Sequence, residues 1–185
     1  MKFKVTPQSI PDVLLIEPTV YADERGYFKE SYNLQDFDEF LPGIKFVQDN
    51  ESKSNRGVLR GLHFQRPPFA QAKLVRVIQG SIWDVAVDIR LESPTFKQFV
   101  HAELSAKNHY QFYIPRGYAH AFLVTSDVAI VQYKTNDYYH PESEFGIHPH
   151  DPDINIPWPL SEDQHILSSK DLALPTLSAL IEGDS

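Results

Sequence analysis

Two short segments of the sequence combine a histidine with glycines and an arginine in a way that suits acid–base chemistry. Residues 57–65 have the sequence GVLRGLHFQ, which contains Arg60 and His63 among apolar residues. Residues 114–122 have the sequence IPRGYAHAF, which predicts a turn that leads His120 into a strand. Imidazole titrates near neutrality, so His63 is a candidate general base. Taken alone, each segment has a simpler interpretation, a hydrogen-bonded core histidine in the first and a surface turn in the second.

The same two segments resemble the paired motifs of the cupin barrel, which allows a metal site to be tested. A metal-binding cupin has an H-x-H pair followed by a glutamate, and a further histidine in its second motif. Here the pair is His63-Phe64-Gln65, and residues 68–71 (PFAQ) supply no carboxylate. The second motif keeps His120. Two histidines without a supporting acid make a poor metal site, so we predict a barrel that works without a metal or any other cofactor.

The side of the strand on which Arg60 lies is left open by the sequence. Strict strand alternation places Leu59, Gly61 and His63 on one face and Arg60 on the other. A β-bulge at Gly61 would bring Arg60 to the face of His63.

Short strands are the main elements expected to position these side chains. Apolar alternation predicts strands at residues 73–78, 82–89, 96–103, 111–114, 122–124 and 129–134. The first two flank Gly80, so we expect them to form a hairpin. In the second, Trp83 and Val85 share one face, while Asp84 and Ala86 share the other.

Helical spacing is confined to two short segments. Residues 34–41 follow Asn33, a suitable N-cap, and residues 177–181 follow Pro175. Residues 141–159 are rich in Pro, His and Asp and predict a long loop. Without repeats or a linker, we expect a single cupin-like domain over residues 1–185. Its predicted class is all-β, a jelly-roll barrel with a few short helices.

Composition narrows the classes of function. The chain has 185 residues, 42% of them hydrophobic, which suits one soluble domain. It has no cysteine, so disulfides and thiolate nucleophiles are excluded. A net charge of −8 argues against nucleic-acid binding, but not against a small anionic ligand. We find no signal-peptide pattern and no bilayer-spanning stretch, and therefore expect a cytoplasmic protein with no membrane partner.

Further segments resemble the dTDP-4-dehydrorhamnose 3,5-epimerase family, in order along nearly the whole chain. They include residues 23–30 (DERGYFKE), 46–50 (FVQDN), 57–65 (GVLRGLHFQ), 71–77 (QAKLVRV), 84–90 (DVAVDIR), 133–134 (YK), 138–142 (YYHPE) and 168–171 (SSKD). The resemblance implies a dTDP-4-keto-6-deoxyglucose substrate that is inverted at C3 and C5, both beside the C4 ketone. It also implies a homodimer in which one subunit's N-terminal strand enters its partner's site.

The resemblance assigns four catalytic positions. His63 matches the base, Asp171 its carboxylate partner, and Lys73 the cation near the enolate oxygen. Tyr133 matches the acid that returns the proton from the opposite face, and its free pKa of about 10 would then need to be lowered by the site. The implied substrate-binding residues are Arg25, Phe28, Glu30, Gln48, Asn50, Arg60, Lys73, His120, Tyr139, Glu144 and Lys170. Arg25, Arg60 and Lys170 match phosphate-binding positions, and Tyr139 matches the aromatic residue that stacks on thymine.

Several of these positions also have ordinary structural interpretations. Arg25 could pair with Asp23 or Glu24, Tyr133 could fill the barrel, and Lys73 could be a solvated strand charge. The family often has glycine where this chain has Ala121, and alanine would be strained there if the backbone needed a positive φ.

Other functions compatible with this pattern are a single-centre epimerase of another dTDP-4-keto-6-deoxy sugar, a 3,4-ketoisomerase, a non-catalytic sugar-nucleotide binder and a metal cupin. Tyr133 favours the two-centre epimerase, since completing the second inversion needs a placed acid.

Overall fold

Two antiparallel β-sheets that face each other make up most of the computed structural model, which describes residues 2–183. The strands are β1 (Phe3–Pro7), β2 (Leu14–Pro18), β3 (Tyr21–Asp23), β4 (Gly26–Phe28), β5 (Gln48–Asn55), β6 (Leu59–Gln65), β7 (Lys73–Gln79), β8 (Ser81–Asp88), β9 (Phe99–Ser105), β10 (Gln111–Ile114), β11 (Tyr118–Val124), β12 (Val128–Thr135) and β13 (Glu144–Gly146). The helices are α1 (Leu34–Asp38), α2 (Ser169–Leu172) and α3 (Leu177–Glu182), with 3-10 turns at Pro141–Ser143 and Glu162–Gln164.

The larger sheet has the strand order β1-β2-β10-β7-β12-β5, and the smaller has β13-β6-β11-β8-β9. Strands β3 and β4 form a separate hairpin. Apolar side chains from both sheets meet in a central core that includes Val75, Val77, Ile82, Phe112 and Val131. The all-β, cupin-like barrel with a few short helices is thereby confirmed.

Both outer faces are also covered by apolar side chains. Phe37 of α1 is fully buried against the larger sheet. The C-terminal segment covers the smaller sheet with residues such as Ile147 and Leu177. Asn33 caps α1 by accepting a hydrogen bond from the backbone N–H of Gln35. The second predicted helix is α3, so both predicted helices are confirmed. Among residues 2–183, the helices are too short to cross a membrane.

The hairpin predicted around Gly80 is wrong. Strand β7 pairs with β10 and β12, whereas β8 pairs with β11 and β9 in the other sheet. Val77 before the turn and Ile82 after it enter the same central core. The two strands therefore face each other across that core, and the turn at Gly80 (φ 77°) carries the chain from one sheet to the other. Alternation identifies a strand but does not say which sheet it joins.

A β-bulge at Gly61 brings Arg60 and His63 to the same face of β6. His63 lies opposite His120, and Arg60 lies opposite Phe122, with a register shift between the two pairs. His120 and Phe122 are two residues apart and share a face, so the bulge must turn Arg60 toward that face as well. Gly61 has a φ of 116°, and a Cβ there would collide with the backbone of His120 and Ala121.

Several strands, among them β5 and β13, lie where apolar alternation predicted none. In β5, the residues that share a face with Asn50 are Gln48, Ser52 and Ser54, so the strand lacks an apolar stripe. Strand β13 interrupts the loop predicted at residues 141–159.

Ala121 lies inside β11 and is not among the residues with a positive φ, so it carries no backbone strain. The single domain over residues 1–185 stays a prediction, and Met1, Asp184 and Ser185 lie outside the described residues.

Candidate active site

A cavity of about 190 Å³ lies between the two sheets. It is lined by Gln48, Asn50, His63, Phe64, Gln65, Gln71, Lys73, Tyr133, Tyr139 and Glu144. His63 comes from the smaller sheet, while Lys73 and Tyr133 come from the larger one. A ligand in this cavity would thus meet an imidazole on one wall and a phenol on the other.

A larger groove, of about 850 Å³, lies beside α3 on the outside of the barrel. Its described lining includes the apolar residues Leu91, Leu177 and Ile181 and contains no histidine, lysine or tyrosine. It lacks an acid–base pair, so we place the chemistry in the smaller cavity.

His63 is held by Asp171, although the two are 108 positions apart in sequence. The His63 Nε2 and Asp171 Oδ1 atoms are 2.6 Å apart. A carboxylate can only accept a hydrogen bond, so Nε2 carries the proton and Nδ1 remains as the basic nitrogen. Burial alone would raise the pKa of Asp171, but hydrogen bonds from His63 and Ser168 hold that pKa below its ordinary value. A bridge between Val58 and Ile166 ties the segment before α2 to the start of β6.

Lys73 lies next to His63 and Tyr133. Its Nζ donates to the backbone oxygen of His63 at 3.3 Å and lies 5.9 Å from the ring centre of Tyr133. Burial lowers the pKa of Lys73 to about 8, and the carboxylates of Asp84 and Glu144 oppose this change. Lys73 is therefore mainly an ammonium at neutral pH.

Tyr133 remains a protonated phenol at neutral pH. Burial raises its pKa above the ordinary value and Glu144 raises it further, while Arg60 acts in the other direction. The lowered pKa expected from the sequence is therefore wrong, because the ring is largely enclosed and has a carboxylate near it. A protonated phenol has a proton to donate.

His120 forms a second imidazole–carboxylate pair, with Asp84. The His120 Nε2 and Asp84 Oδ1 atoms are 2.7 Å apart, and both side chains are buried. Burial lowers the pKa of His120, and Asp84 opposes that shift. Within residues 2–183, no three His, Asp or Glu side chains converge closely enough to hold a metal ion.

At the mouth of the cavity, polar side chains from three elements are bonded together. The Glu144 Oε2 accepts hydrogen bonds from the Tyr139 hydroxyl at 2.6 Å and from the Lys170 Nζ at 2.7 Å. Gln48 donates to Asn50 at 3.0 Å and accepts from the backbone N–H of Tyr139. These five residues surround the entrance and offer both charged and aromatic contacts.

A sequence profile of the dTDP-4-dehydrorhamnose 3,5-epimerase family matches residues 7–179. The chain belongs to this family. It is 53% identical over 174 residues to the dTDP-4-dehydrorhamnose 3,5-epimerase of Salmonella typhimurium, covering 94% of each chain.

Solved structures of related proteins have the same fold. One is a dTDP-6-deoxy-D-glucose-3,5-epimerase from Legionella pneumophila in complex with dTDP-4-keto-L-rhamnose. It superposes with a TM-score of 0.93 at 50% identity, over 98% of this chain and 96% of that one. A more distant one is a 3'-monoepimerase from Streptomyces bikiniensis in complex with dTDP-quinovose. Its TM-score is 0.91 at 32% identity, over 96% of this chain and 90% of that one.

Six residues that the sequence assigned to substrate binding are not among those lining the cavity of this epimerase, and three of them, Arg60, His120 and Lys170, lie next to it. Arg25 and Phe28 belong to the β3–β4 hairpin, and Arg25 forms an ion pair with Asp23. The Phe28 ring is 69% exposed. Glu30 accepts a hydrogen bond from Lys2. The described chain thus brings His63, Tyr133, Lys73 and the mouth residues together, but leaves Arg25, Phe28 and Glu30 apart from them.

The epimerase site also contains residues that the sequence did not single out. Gln65 accepts a hydrogen bond from the backbone N–H of His140, and Gln71 donates to the backbone oxygens of Asp137 and Tyr138. The two glutamines hold the loop that presents Tyr139. Asp84 is the other omission. The sequence placed Asp84 on the same face of β8 as Ala86. A charged residue on a face that points into the core is the pattern that could have identified it.

Proposed function

We propose that this chain epimerises dTDP-4-dehydro-6-deoxy-D-glucose at C3 and C5 to give dTDP-4-dehydro-L-rhamnose, by proton removal and return beside the C4 ketone. The observation that carries the proposal is the placement of His63 and Tyr133 on opposite walls of one cavity, with Lys73 beside them. Inversion needs a base on one face of the sugar and an acid on the other, and this arrangement provides both.

The proposed reaction begins when His63 Nδ1 removes the proton from C3 or C5. The C–H electron pair moves toward C4 and leaves an enolate, whose oxygen is stabilised by the ammonium of Lys73. Asp171 stabilises the imidazolium that forms. Tyr133 then donates its proton to the opposite face of the same carbon. Exchange with solvent removes the proton from His63 and restores the one on Tyr133.

Nucleotide binding is proposed for the residues at and near the mouth. Arg60 and Lys170 would bind the diphosphate, and the half-exposed ring of Tyr139 would stack on thymine. Polar contacts to the nucleoside and sugar are assigned to Gln48, Asn50, His120 and Glu144.

Proton NMR of the reaction in D2O tests the proposed function. Deuterium should enter at both C3 and C5, and the product should have the L-rhamno configuration. Exchange and inversion at one centre only would identify a single-centre epimerase and contradict the proposal. Binding of dTDP without any exchange would instead indicate a sugar-nucleotide binder. Heat-denatured protein is the control for spontaneous exchange beside the ketone.

We further propose a homodimer in which the β3–β4 hairpin of one subunit completes the partner's site. The hairpin exposes three aromatic rings, with Tyr21 at 60%, Tyr27 at 59% and Phe28 at 69%. Exposed aromatic rings clustered on one short hairpin favour an interaction surface. Insertion of the hairpin would also bring Arg25, Phe28 and Glu30 to a substrate.

The cytoplasm is the compartment we propose, and nucleic acid and membrane are not among the proposed partners.

Mixing two inactive variants tests the exchanged hairpin. Arg25→Ala subunits keep the base, and His63→Asn subunits keep the arginine. After subunit exchange in equal amounts, about half of the dimers are mixed, and each mixed dimer has one complete site. We therefore expect about a quarter of wild-type activity. If the hairpin serves its own subunit, mixing restores nothing, because every site then keeps one of the two defects.

A further inference from the structure

Asp84 is a fully buried acid whose side chain is only partly satisfied. It lies in the middle of β8 with no exposed surface, on the inner face that it shares with Ile82 and Ala86. Its Oδ1 is bonded to His120, but its Oδ2 has no hydrogen-bond partner among the described residues. A buried carboxylate oxygen without a partner is costly. Such a group requires compensation from a nearby charge.

Two groups favour the charged form of Asp84: first His120, to which it is bonded, and then Lys73, whose Nζ donates to the backbone oxygen of His63, the residue opposite His120. Two carboxylates act on the ammonium of Lys73, Asp84 from β8 and Glu144 from β13. Glu144 is already bonded through one oxygen to Lys170 and Tyr139 at the mouth of the cavity. Asp84 is enclosed by the barrel, where water screens its field least. It is therefore the carboxylate that acts on Lys73 without a competing external cation.

The other ionisable groups around Lys73 do not replace Asp84. They are His63 on β6, His120 on β11, Tyr133 on β12, and Asp171 with Lys170 on α2. Asp171 is bonded to His63 and Ser168, and the two histidines and the phenol carry no negative charge at neutral pH. His120, in turn, fixes the orientation of Asp84 through its Nε2–H.

We propose that Asp84 is a positioning residue which, held by His120, serves as the buried counter-ion that keeps Lys73 an ammonium during epimerisation. This inference rests on the proposed function, because Lys73 needs its charge to stabilise an enolate. Burial raises the pKa of Asp84 and lowers that of Lys73, so each charge is unfavourable alone and favourable beside the other. Substrate that fills the cavity and displaces water strengthens this dependence.

The expected consequence is a change in the alkaline limb of the pH profile. Lys73 is active while protonated, so activity falls as pH rises through its pKa of about 8. In an Asp84→Asn variant the amide oxygen still accepts a hydrogen bond from His120, but the negative charge is gone. The alkaline limb of kcat should then move to lower pH by about one unit, a tenfold change in the protonation equilibrium.

Asp88→Asn is the matched control. Asp88 lies four residues along β8, is equally buried, and is bonded to Arg90 outside the cavity. Its replacement should lower stability without moving the limb. NMR titration of the Lys73 Nζ in the dTDP complex, with 15N-labelled lysine, gives the same information when turnover is too slow to measure.

An unchanged limb and an unchanged Nζ titration in Asp84→Asn would overturn the inference, as would an equal shift in Asp88→Asn. The Nζ titration does not depend on how many centres are inverted. A shift in Asp84→Asn with inversion at a single centre in the wild type would therefore contradict the proposed function and leave the role of Asp84 intact.

Discussion

A His63→Asn variant is expected to lose epimerase activity on the order of 1,000-fold, within the usual range for removing a general base, while keeping its affinity for dTDP. Asparagine is too short to reach the position of Nε2, but Asp171 keeps its hydrogen bond from the Ser168 hydroxyl, so the buried carboxylate keeps a partner and the local structure survives. What is lost is the basic nitrogen Nδ1. Turnover by NMR and dTDP binding by calorimetry together measure the result.

Deuterium exchange makes this expectation more specific. Proton removal comes first, so exchange at both C3 and C5 should fall together with product formation in His63→Asn. Asp171→Asn is the graded comparison, since it leaves the base in place but removes the carboxylate that orients it, and a smaller loss is expected there. Exchange at wild-type rates in His63→Asn would show that another group is the base.

A Tyr133→Phe variant should separate exchange from inversion. Phenylalanine keeps the ring that packs against the central core and removes only the hydroxyl. His63 can still remove a proton and return a deuteron to the same face, so exchange continues with retained configuration. Formation of the dehydrorhamnose product should fall by about 100-fold, in the range for loss of a general acid.

The product's configuration decides this second prediction. Substrate recovered from Tyr133→Phe should carry deuterium without inversion at the labelled carbon, whereas substrate recovered from His63→Asn should carry almost none. Inversion at both centres with undiminished rate in Tyr133→Phe would remove Tyr133 from the mechanism. Because burial keeps the phenol protonated, its own titration should not limit the wild-type rate near neutral pH.

The local pattern of apolar residues in the sequence was sufficient to predict the strands and helices whose side chains are apolar on one face. Strand β10 was predicted with its observed bounds, and α1 begins after the predicted cap Asn33. Strand β5 was missed because the residues that share the face of Asn50 are polar. The turn at Gly80 was misassigned because a strand's partners depend on packing between sheets, which alternation along one segment does not contain.

The candidate site depended on long-range geometry that local pattern cannot supply. Nothing in the spacing of His63 and Asp171 predicts their contact; only the family resemblance linked them. The side on which Arg60 lies was undecided until the register shift opposite His120 was observed. Asp84 was placed on the correct face, but the importance of its burial emerged only beside His120 and Lys73.

The contact between His63 and Asp171 also bears on the order in which a newly made chain becomes competent. A ribosome produces His63, Lys73 and Tyr133 well before Asp171, which lies 108 residues after His63. Until the C-terminal segment folds back along β6, the imidazole has no carboxylate to orient it. The proposed site is thus complete only after residue 171 has been synthesised, and a chain terminated before that residue would retain much of the barrel without a carboxylate to orient His63.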